Sequence, residues 1–515
     1  MRVVFYDCGF GALGVQYLLR VLETAGHDVQ VFFDQSFSRD YLAQDLFLRD
    51  FLSLTPEQVR DSILALDPEV LCLSVFSYTY QRNMALVRVL KEANPNLIVV
   101  CGGCHATLLP EVALENEGLS FVVVGEGEIS LPALMDALAN SDVATVKALP
   151  EDALPGVWNV HDGAVMARGL SPIMRDLDQI PFPDKTQHYA ANPSLRAFYS
   201  VVASRGCTYA CTYCNSPCLR DLHRKYNEPY YRLRSVENVI AEIEAAVAQF
   251  HPRHVAFLDD AFGVKRPWLR EFASRYKEAI GLPYDVETSP ASLDAEALDL
   301  LAGSGCVNVE IGFQCANATV RRELLNRHET NEQVEALIRG AKSRGMFVEL
   351  DTIVNLPGET EEHIEETLEF IRATRPHLVN VGFLQYFPKA PITQMALDQG
   401  VLNREDIAQI ERGGRVNSMR LLSQSGLGAR YRVLPFQVAI ACRLPRWISG
   451  RLIPLVRTPI LRNVFSFFAS PFLYASRIRV SLMDRRQFFL RRQVIRSLYA
   501  ARWVLARKLR GVARP

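Results

Sequence analysis

Four cysteines stand close together near the middle of the chain, with the spacing Cys207-x3-Cys211-x2-Cys214-x3-Cys218. Cysteine thiolates are the usual protein ligands of iron–sulfur clusters, and the first three can share one compact loop. Three thiolates on a four-iron cluster leave one iron open to a further ligand. A structural zinc site needs four ligands, so it would have to recruit Cys218 as well. The spacing favours an iron–sulfur site and leaves zinc as the alternative.

Two glycine-rich turns occur in the first third of the chain, each after a short apolar run. Gly102 and Gly103 follow Leu97–Cys101, and Gly125–Glu128 follow Phe121–Val124. Glycine lets a ligand approach the backbone closely, and turns at the carboxyl ends of parallel strands form a binding crevice. Each turn alone is also common as a purely structural feature. The pair together predicts a ligand site at this edge of a sheet.

The order of apolar runs and helical patterns divides the chain into four segments. Residues 1–144 alternate strand and helix, which predicts a doubly wound, Rossmann-like α/β domain. Residues 145–195 are rich in proline and predict a linker with a small hairpin around Val160–Gly163. Residues 196–400 predict a second α/β unit, either a barrel or part of one. Residues 401–515 predict a mostly helical, basic region.

The cysteine loop extends into a longer motif. Cys207, Cys211, Tyr213 and Cys214 match C-x3-C-x-Φ-C, where Φ is aromatic, and so resemble the signature of radical S-adenosylmethionine (SAM) enzymes. The resemblance implies a 4Fe-4S cluster on the three cysteines, SAM on the open iron, and cleavage of SAM to a deoxyadenosyl radical. It also implies a partial (β/α)6 barrel. The SAM-binding residues implied by the resemblance are Tyr213, Asp260, Glu310, Gln314, Asn355, Pro357 and Gly358.

Two of these SAM motifs also have a simpler interpretation. Asp259 and Asp260 could cap a helix after a strand. The segment from Asn355 to Thr360 could be an ordinary Pro-Gly turn that ends in a capping Thr360. We therefore keep both interpretations open for these motifs.

The two glycine-rich turns resemble the cobalamin-binding domain that precedes many radical SAM cores. The family pattern there is G-G-x-H-x-T followed by G-E-G-E, and this chain has both elements. The D-x-H-x-x-G motif, whose histidine ligates cobalt in other cobalamin proteins, is absent. The resemblance implies cobalamin binding without a protein ligand to cobalt. The cobalamin-binding residues that it implies are Ser74, Gly102, Gly103, His105, Thr107, Gly125, Glu126 and Gly127.

Charge is distributed unevenly along the chain. Residues 401–515 contain 23 Lys+Arg and 4 Asp+Glu, although the whole chain balances 57 against 57. The uncharged run Asn463–Ser476 has 14 residues and contains Pro471, too short for a span of about 20 residues. The arginine-rich stretch Arg485–Arg510, with interleaved aromatic residues, is typical of an interfacial membrane helix. A helical cap on the acidic part of the chain and a nucleic-acid surface are the alternatives, and no RNA-binding module supports the second.

The resemblance implies an enzyme that transfers a methyl group to an unactivated carbon. A membrane-binding tail would suit a hydrophobic substrate, for example a hopanoid lipid. An oxidative cyclase of a tetrapyrrole shares the same architecture and is the second enzymatic candidate. A sensor that binds cobalamin or an iron–sulfur cluster is the non-enzymatic one. A methylthiotransferase is disfavoured because Cys8, Cys72, Cys101 and Cys104 do not form a second cluster site.

The expected partners and location follow from the same features. A radical SAM enzyme needs a reductant such as flavodoxin or ferredoxin, and its substrate here is a small molecule or a lipid. Eleven cysteines and the lack of a leading signal peptide predict a reducing compartment. We expect a cytoplasmic protein, attached peripherally to the inner face of the membrane if the tail binds anionic lipid.

Overall fold

The computed structural model describes residues 1–8, 12–35, 53–414, 416, 427–456 and 502–505. The uncharged run 463–476 lies outside the described residues, and so does all of the arginine-rich stretch 485–510 except residues 502–505.

A seven-stranded sheet forms the first part of the chain, in the order β2-β1-β3-β4-β5-β6-β7. Its strands are β1 (Arg2–Cys8), β2 (Asp28–Asp34), β3 (Val70–Ser74), β4 (Ile98–Gly102), β5 (Phe121–Val123), β6 (Val157–His161) and β7 (Ala164–Met166). Both faces of the sheet are buried: Val4 and Tyr6 pack into one apolar core, and Val3 and Phe5 into the other. Burial on both faces explains why these strands are almost continuous apolar runs.

Helices cover both faces of this sheet. They are α1 (Leu13–Thr24), α2 (Pro56–Leu64), α3 (Ser77–Ala93), α4 (Cys104–Leu108), α5 (Pro110–Leu114), α6 (Gly127–Asn140) and α7 (Val143–Lys147). Strands β1 to β5 are parallel, whereas β6 runs antiparallel to β5 and to β7. The doubly wound prediction is confirmed. The hairpin β6–β7, which the sequence places in a linker, extends the edge of this sheet.

The chain then crosses to a second sheet. The connection contains α8 (Thr186–Ala191) between the 3-10 turns Leu177–Gln179 and Pro193–Ala197. Gln187 of α8 donates to the carbonyl of Val29 and accepts from the amide of Val31, and so holds this segment against β2.

Six parallel strands form the second sheet, in the order β8-β11-β12-β13-β14-β15. They are β8 (Phe198–Val201), β11 (His254–Phe257), β12 (Tyr284–Thr288), β13 (Cys306–Gln314), β14 (Phe347–Val354) and β15 (Leu378–Phe383). Between β8 and β11, the two-residue strands β9 (Ser204–Arg205) and β10 (Arg232–Leu233) pair antiparallel. This arrangement agrees with the predicted partial barrel. The apolar runs at 199–203, 254–258, 307–312, 347–353 and 378–383 predict five of these strands. They do not predict β12, whose sequence Tyr-Asp-Val-Glu-Thr contains no apolar run.

Helices pack on the outside of the second sheet. They are α9 (Ser216–Lys225), α10 (Val236–Phe250), α11 (Arg266–Ala279), α12 (Ala295–Ser304), α13 (Asn331–Ser343), α14 (Glu361–Thr374), α15 (Pro391–Asp398) and α16 (Arg404–Glu411). One apolar core joins helices α10 to α14 to the sheet and includes Val309 and Ile311 of β13, whereas α15 and α16 contribute to a separate apolar cluster. The alternate residues Asn308 and Glu310 therefore face the lumen, because successive side chains of a strand point to opposite faces.

The described part of the C-terminal region is helical and packs on the preceding unit. Helices α17 (Gly428–Arg443) and α18 (Arg446–Leu455) follow one another on the outside of α14. Arg430 pairs with Glu365, and the hydroxyl of Tyr431 donates to Glu359. Val504 is buried in the apolar core of the first sheet. In the ranges that the structure describes, no helix is both long enough and apolar enough to cross a bilayer.

Candidate functional site

The three cysteines lie on the loop between β9 and α9, just beyond the carboxyl end of β8. Cys207, Cys211 and Cys214 are free thiols and are only partly exposed. Burial raises the pKa of Cys207 to about 11 and also raises the pKa of Cys214. Both thiols therefore keep their protons at neutral pH until a bound cation displaces them. Three thiols on one loop beside a strand end fit an iron–sulfur cluster with one open iron.

Hydrogen bonds with later parts of the chain hold this loop in place. Thr212 donates through its amide to the carbonyl of Leu325, and Asn326 donates to the carbonyl of Ala210. At the start of the loop, Gly206 has φ +80, and a Cβ there would lie 2.5 Å from the carbonyl oxygen of Tyr230. A side chain at position 206 would therefore displace the loop.

Cys218, the fourth cysteine, lies on α9 and has a hydrogen-bond partner outside the cysteine loop. Its thiol donates to the carbonyl of Lys389 at 3.1 Å. Within the described ranges, no three Cys, His, Asp or Glu side chains lie close enough to share one metal ion, and a four-iron cluster does not require this because each thiolate binds a different iron. The hydrogen bond of Cys218 to Lys389 gives the zinc alternative no support.

The two aspartates after β11 have different roles. Asp259 is buried and accepts from the amides of Ala203 and Ser204 and from the Ser204 hydroxyl. It therefore fixes the backbone that leads into the cysteine loop. Asp260 lies 3.5 Å from the hydroxyl of Ser216, next to the end of the cysteine loop. Helix α11 begins later, with Lys265 at its N-cap, so neither aspartate caps it.

Tyr213 and Arg327 meet beside Cys211. The Tyr213 ring packs against an apolar cluster that includes Leu356, and its hydroxyl lies 3.2 Å from Nη1 of Arg327. The same Nη1 lies 3.5 Å from Sγ of Cys211. No sequence motif singles out Arg327, which lies more than a hundred residues after the cysteines.

Glu310 and Gln314 lie on β13 at different depths. Glu310 faces the lumen among other carboxylates, and burial, with Glu349 and Asp351 nearby, raises its pKa well above the ordinary value. Gln314 is at the carboxyl end, where the pairing with β14 is irregular, and its φ is +70. Its side-chain nitrogen would lie 2.6 Å from a Cβ on Gly312, so it folds back over that glycine.

The turn from Asn355 to Gly358 follows β14. Asn355 has φ +63 and Gly358 has φ +71, so the turn reverses sharply. The carboxylate of Glu359 accepts from the amide of Asn355 at 2.7 Å and locks the turn. Thr360 caps α14 by accepting from the amide of His363, which is the structural interpretation of this motif. The SAM interpretation of Asn355, Pro357 and Gly358 is compatible with this geometry.

The first glycine-rich turn lies at the carboxyl ends of β3 and β4. Gly103 has φ +94, and a Cβ there would lie 2.7 Å from the backbone nitrogen and oxygen of Val75. Gly102 is different, because its nearest neighbour would be the carbonyl of Val123 at an ordinary 3.6 Å. Of these two positions, only position 103 therefore requires glycine for the fold.

His105 and Thr107 lie behind this turn and support it. Nδ1 of His105 is 2.9 Å from the Ser77 hydroxyl, and its ring packs on Tyr80. Burial lowers the pKa of His105 to about 4, so the ring is neutral at physiological pH. Thr107 accepts from the amide of Gly125 at 3.0 Å and so ties the two glycine-rich turns together.

The second turn carries two carboxylates that pair with arginines of the later unit. Glu126 lies 3.0 Å from Arg205 and also pairs with Arg232, and Glu128 lies 2.6 Å from Arg205. Burial alone would raise the pKa of Glu126, but the two guanidinium groups lower it below the ordinary value. Glu126 was selected as a cobalamin contact, and the structure places its carboxylate in this ion-pair network. Gly127 begins α6 directly afterwards.

Both turns and the approach to the cysteine loop face one cavity of about 460 Å³. Its lining includes six of the predicted cobalamin residues and one of the predicted SAM residues, together with the start of the cysteine loop. These residues are Ser74, Gly102, Gly103, Gly125, Glu126, Gly127, Arg205, Gly206 and Asp260. His105 and Thr107 are not among the lining residues and act from behind the turn.

Comparison with known proteins assigns both parts of the chain. Residues 10–135 match the B12 binding domain, and residues 201–371 match the Radical SAM superfamily. The fold and the paired domains define a cobalamin-dependent radical SAM protein. The chain belongs to this family, and it is an enzyme whose cofactors are a 4Fe-4S cluster, SAM and cobalamin.

Several named proteins are similar to this chain. The anaerobic magnesium-protoporphyrin IX monomethyl ester cyclase of Rubrivivax gelatinosus is 27% identical, over 74% of this chain and 65% of that protein. This alignment thus spans just under two thirds of the relative. The cytidylyl-2-hydroxyethylphosphonate methyltransferase of Streptomyces wedmorensis is 27% identical, over 74% of this chain and 76% of that protein. The solved structure of the cobalamin-dependent SAM radical enzyme OxsB has 15% identity and a TM-score of 0.64, covering 99% of this chain and 80% of that one.

Proposed function

We propose that this enzyme is a methyltransferase that acts on an unactivated carbon of a hydrophobic substrate. The observation that carries the proposal is the shared cavity between the two glycine-rich turns and the approach to the cysteine loop. When bound, SAM and the cluster supply the hydrogen-abstracting radical, and cobalamin supplies the methyl group. Methyl transfer requires the two cofactors to act on one substrate atom, and a common cavity supports that requirement.

The residues of the chain have distinct tasks in this proposal. Cys207, Cys211 and Cys214 hold the cluster, and Asp259 fixes the strand end from which their loop begins. Gly102 and Gly103 line the cavity, and the lack of side chains there would let the corrin ring approach the backbone closely. Positioning of this kind contributes to rate because it aligns the reacting groups before the reaction.

A hydrophobic, membrane-derived substrate is supported by the surface of α18. Trp447 is 68% exposed and Leu455 is 50% exposed, and both lie close in sequence to Arg446 and Arg451. Exposed aromatic and aliphatic side chains beside arginines suit the interface of an anionic bilayer. We therefore include peripheral membrane association in the proposal, with a lipid such as a hopanoid as one candidate substrate.

Other contacts of the C-terminal region favour the intramolecular cap. Arg430 and Arg446 pair with acidic residues of α14, and Trp503 packs near Phe32 in the first domain. The two interpretations are compatible if one side of this region packs on the core while Trp447 and Leu455 face outward.

The second candidate function is oxidative cyclisation of a tetrapyrrole. Its support is the similarity to the cyclase of Rubrivivax gelatinosus, which is as high as the similarity to the methyltransferase of Streptomyces wedmorensis. Both candidates use the same cofactors, so the outcome of the reaction must separate them.

Methyl-deuterated SAM provides that separation. Anaerobically reconstituted enzyme is incubated with a reductant and cobalamin, either with membrane-lipid extract from a strain that lacks the gene or with magnesium-protoporphyrin IX monomethyl ester, and products are analysed by mass spectrometry. Methyl transfer predicts a lipid that carries the deuterated methyl group. Cyclisation predicts loss of hydrogen from a tetrapyrrole and no label.

The matched controls are two cysteine variants. Cys211→Ala should lose most iron and all SAM cleavage, whereas Cys218→Ala should keep the cluster because its thiol bonds to the carbonyl of Lys389. Equal loss of iron in both variants would contradict the assignment of the three cluster cysteines.

A further inference from the structure

Arg327 lies against the cysteine loop although it follows the π-helical turn Val320–Leu324 after β13. Its Nη1 is 3.5 Å from Sγ of Cys211, a hydrogen-bond distance for a sulfur acceptor, and 3.2 Å from the hydroxyl of Tyr213. A guanidinium group is always charged and has no acceptor of its own. Cys211 therefore has a permanent positive charge beside its sulfur.

The guanidinium group is held in this position from several sides. Nη2 donates to the carbonyl of Gly312 at 2.6 Å and to the Ser289 hydroxyl at 3.4 Å. Nε donates to the carboxylate of Glu329 at 2.6 Å. Arg327 and Glu329 are each only 8% exposed. A rigid donor group bonded to separate parts of the barrel cannot turn away from Cys211 without breaking buried hydrogen bonds.

We propose that Arg327 is a positioning residue that donates a hydrogen bond to the Cys211 thiolate and raises the reduction potential of the cluster. Hydrogen bonds to cluster sulfurs and nearby charge are the means by which a protein sets this potential. One electron from the protein reductant adds a negative charge to the cluster, so a fixed positive charge stabilises the reduced form more than the oxidised form. This inference rests on the cluster alone and is independent of methyl transfer.

Two substitutions test the inference because they change the local charge in opposite directions. Arg327→Gln removes the positive charge, and Glu329→Gln removes its negative partner while an amide oxygen can still accept from Nε. The full chain is reconstituted anaerobically, and the cluster is titrated with reductant while its paramagnetic signal is followed. Arg327→Gln should lower the ratio of reduced to oxidised cluster about tenfold at fixed potential, a shift of about 59 mV for one electron. Glu329→Gln should raise that ratio, by a smaller factor.

Arg220→Gln is the matched control. Arg220 donates to the carbonyls of Thr208 and Tyr209 in the same loop, and neither bond involves a cysteine sulfur. Its substitution should leave the ratio unchanged. Iron and sulfide are measured for every variant, so that potentials are compared only between proteins with a complete cluster.

The outcomes separate tuning of the cluster from simple support of the loop. The inference is upheld if the reduction potential shifts in opposite directions in Arg327→Gln and Glu329→Gln. Loss of loop support would instead move the potentials of both variants in the same direction. Shifts of the same sign, or no shift with full iron content, overturn it. If Arg327→Gln fails to bind iron, Glu329→Gln decides alone: an upward shift upholds the inference and an unchanged potential rejects it.

Discussion

Glu126 at the second glycine-rich turn and Arg205 before the cysteine loop form an ion pair, with 3.0 Å between Oε2 and Nη1. Arg205 also pairs with Glu128, and Arg232 pairs with Glu126. The pairs therefore join the turn assigned to cobalamin with the backbone that leads to the cluster cysteines. Because both ends of this network line one cavity, a substitution in the network should alter both the stability of the protein and the alignment of its cofactors.

Removal of Arg205 should destabilise the protein more than removal of an exposed arginine. In Arg205→Ala, the partly buried carboxylate of Glu128 loses its ion-pair partner, and Glu126 keeps only Arg232. We expect the free energy of unfolding to fall by about 3 kcal/mol, at the lower end of the range for buried pairs. Arg60→Ala breaks a more exposed pair with Asp61 and should change it by less than about 1 kcal/mol. Denaturant unfolding measures the free energy of unfolding of both variants. Equal losses in Arg205→Ala and Arg60→Ala would contradict a stabilising role of the network.

The two adjacent glycines of the first turn should separate folding from cobalamin binding. Gly103→Ala places a Cβ against the backbone of Val75 at positive φ, so we expect a loss of about 2 kcal/mol or more. Gly102→Ala adds its Cβ at an ordinary distance from Val123 but on the cavity wall. It should preserve the thermal midpoint and weaken cobalamin retention about tenfold, since close approach is lost. Full retention of cobalamin by Gly102→Ala, measured by absorbance after gel filtration, would reject the proposed corrin position.

The fold could be predicted wherever burial and strand type agree. The runs at β1 and β3 are apolar because helices cover both faces of their sheet, and such runs are evident in sequence. Strand β12 contains no apolar run because Asp285 and Glu287 face a polar lumen, so a prediction from apolar runs misses it although its alternation is itself a strand pattern. Local patterns do not reveal which face of a strand will be enclosed.

The site was predictable only where a motif carries its own spacing. Cys207 to Cys214 are neighbours in sequence and therefore could be assigned directly. The contact of Arg327 with Cys211 depends on how β13 and its following turn return to the loop, and no local pattern encodes that return. The pairing of Glu126 with Arg205 depends in the same way on how the two units pack.

Stability should depend on pH through His105. Burial lowers the pKa of His105 to about 4 in the folded chain, from an ordinary value near 6.5. Between these values the unfolded chain binds a proton that the folded chain excludes, so stability is complete above about pH 6.5 and falls as the pH drops toward 4. We expect His105 to account for about 2 kcal/mol of this fall. Urea midpoints measured across this range should show a shallower fall in His105→Gln, and the exposed variant His328→Gln should keep the slope of the wild type. An unchanged slope in His105→Gln would show that another group is responsible.

Membrane binding should depend on the exposed apolar residues of α18. Trp447 and Leu455 lie among arginines, so attachment would combine apolar burial with attraction to anionic lipid. The full-length protein should sediment with anionic vesicles more than with neutral ones, and high salt should weaken this binding without abolishing it.

Point substitutions test this better than deletion of the C-terminal region, because Val504 belongs to the core of the first domain and its loss would disturb the fold. Trp447→Ser combined with Leu455→Ser removes about 1.5–3 kcal/mol of apolar burial per side chain and should reduce vesicle binding more than tenfold. Val165→Ser on β7 removes a comparably exposed apolar residue that is distant in sequence from α18, and it should leave vesicle binding unchanged. The intramolecular-cap interpretation predicts that the full-length protein ignores both vesicle types. That result, or wild-type binding by the double variant, would remove the argument for a membrane-derived substrate, because this argument depends on the exposed face of α18.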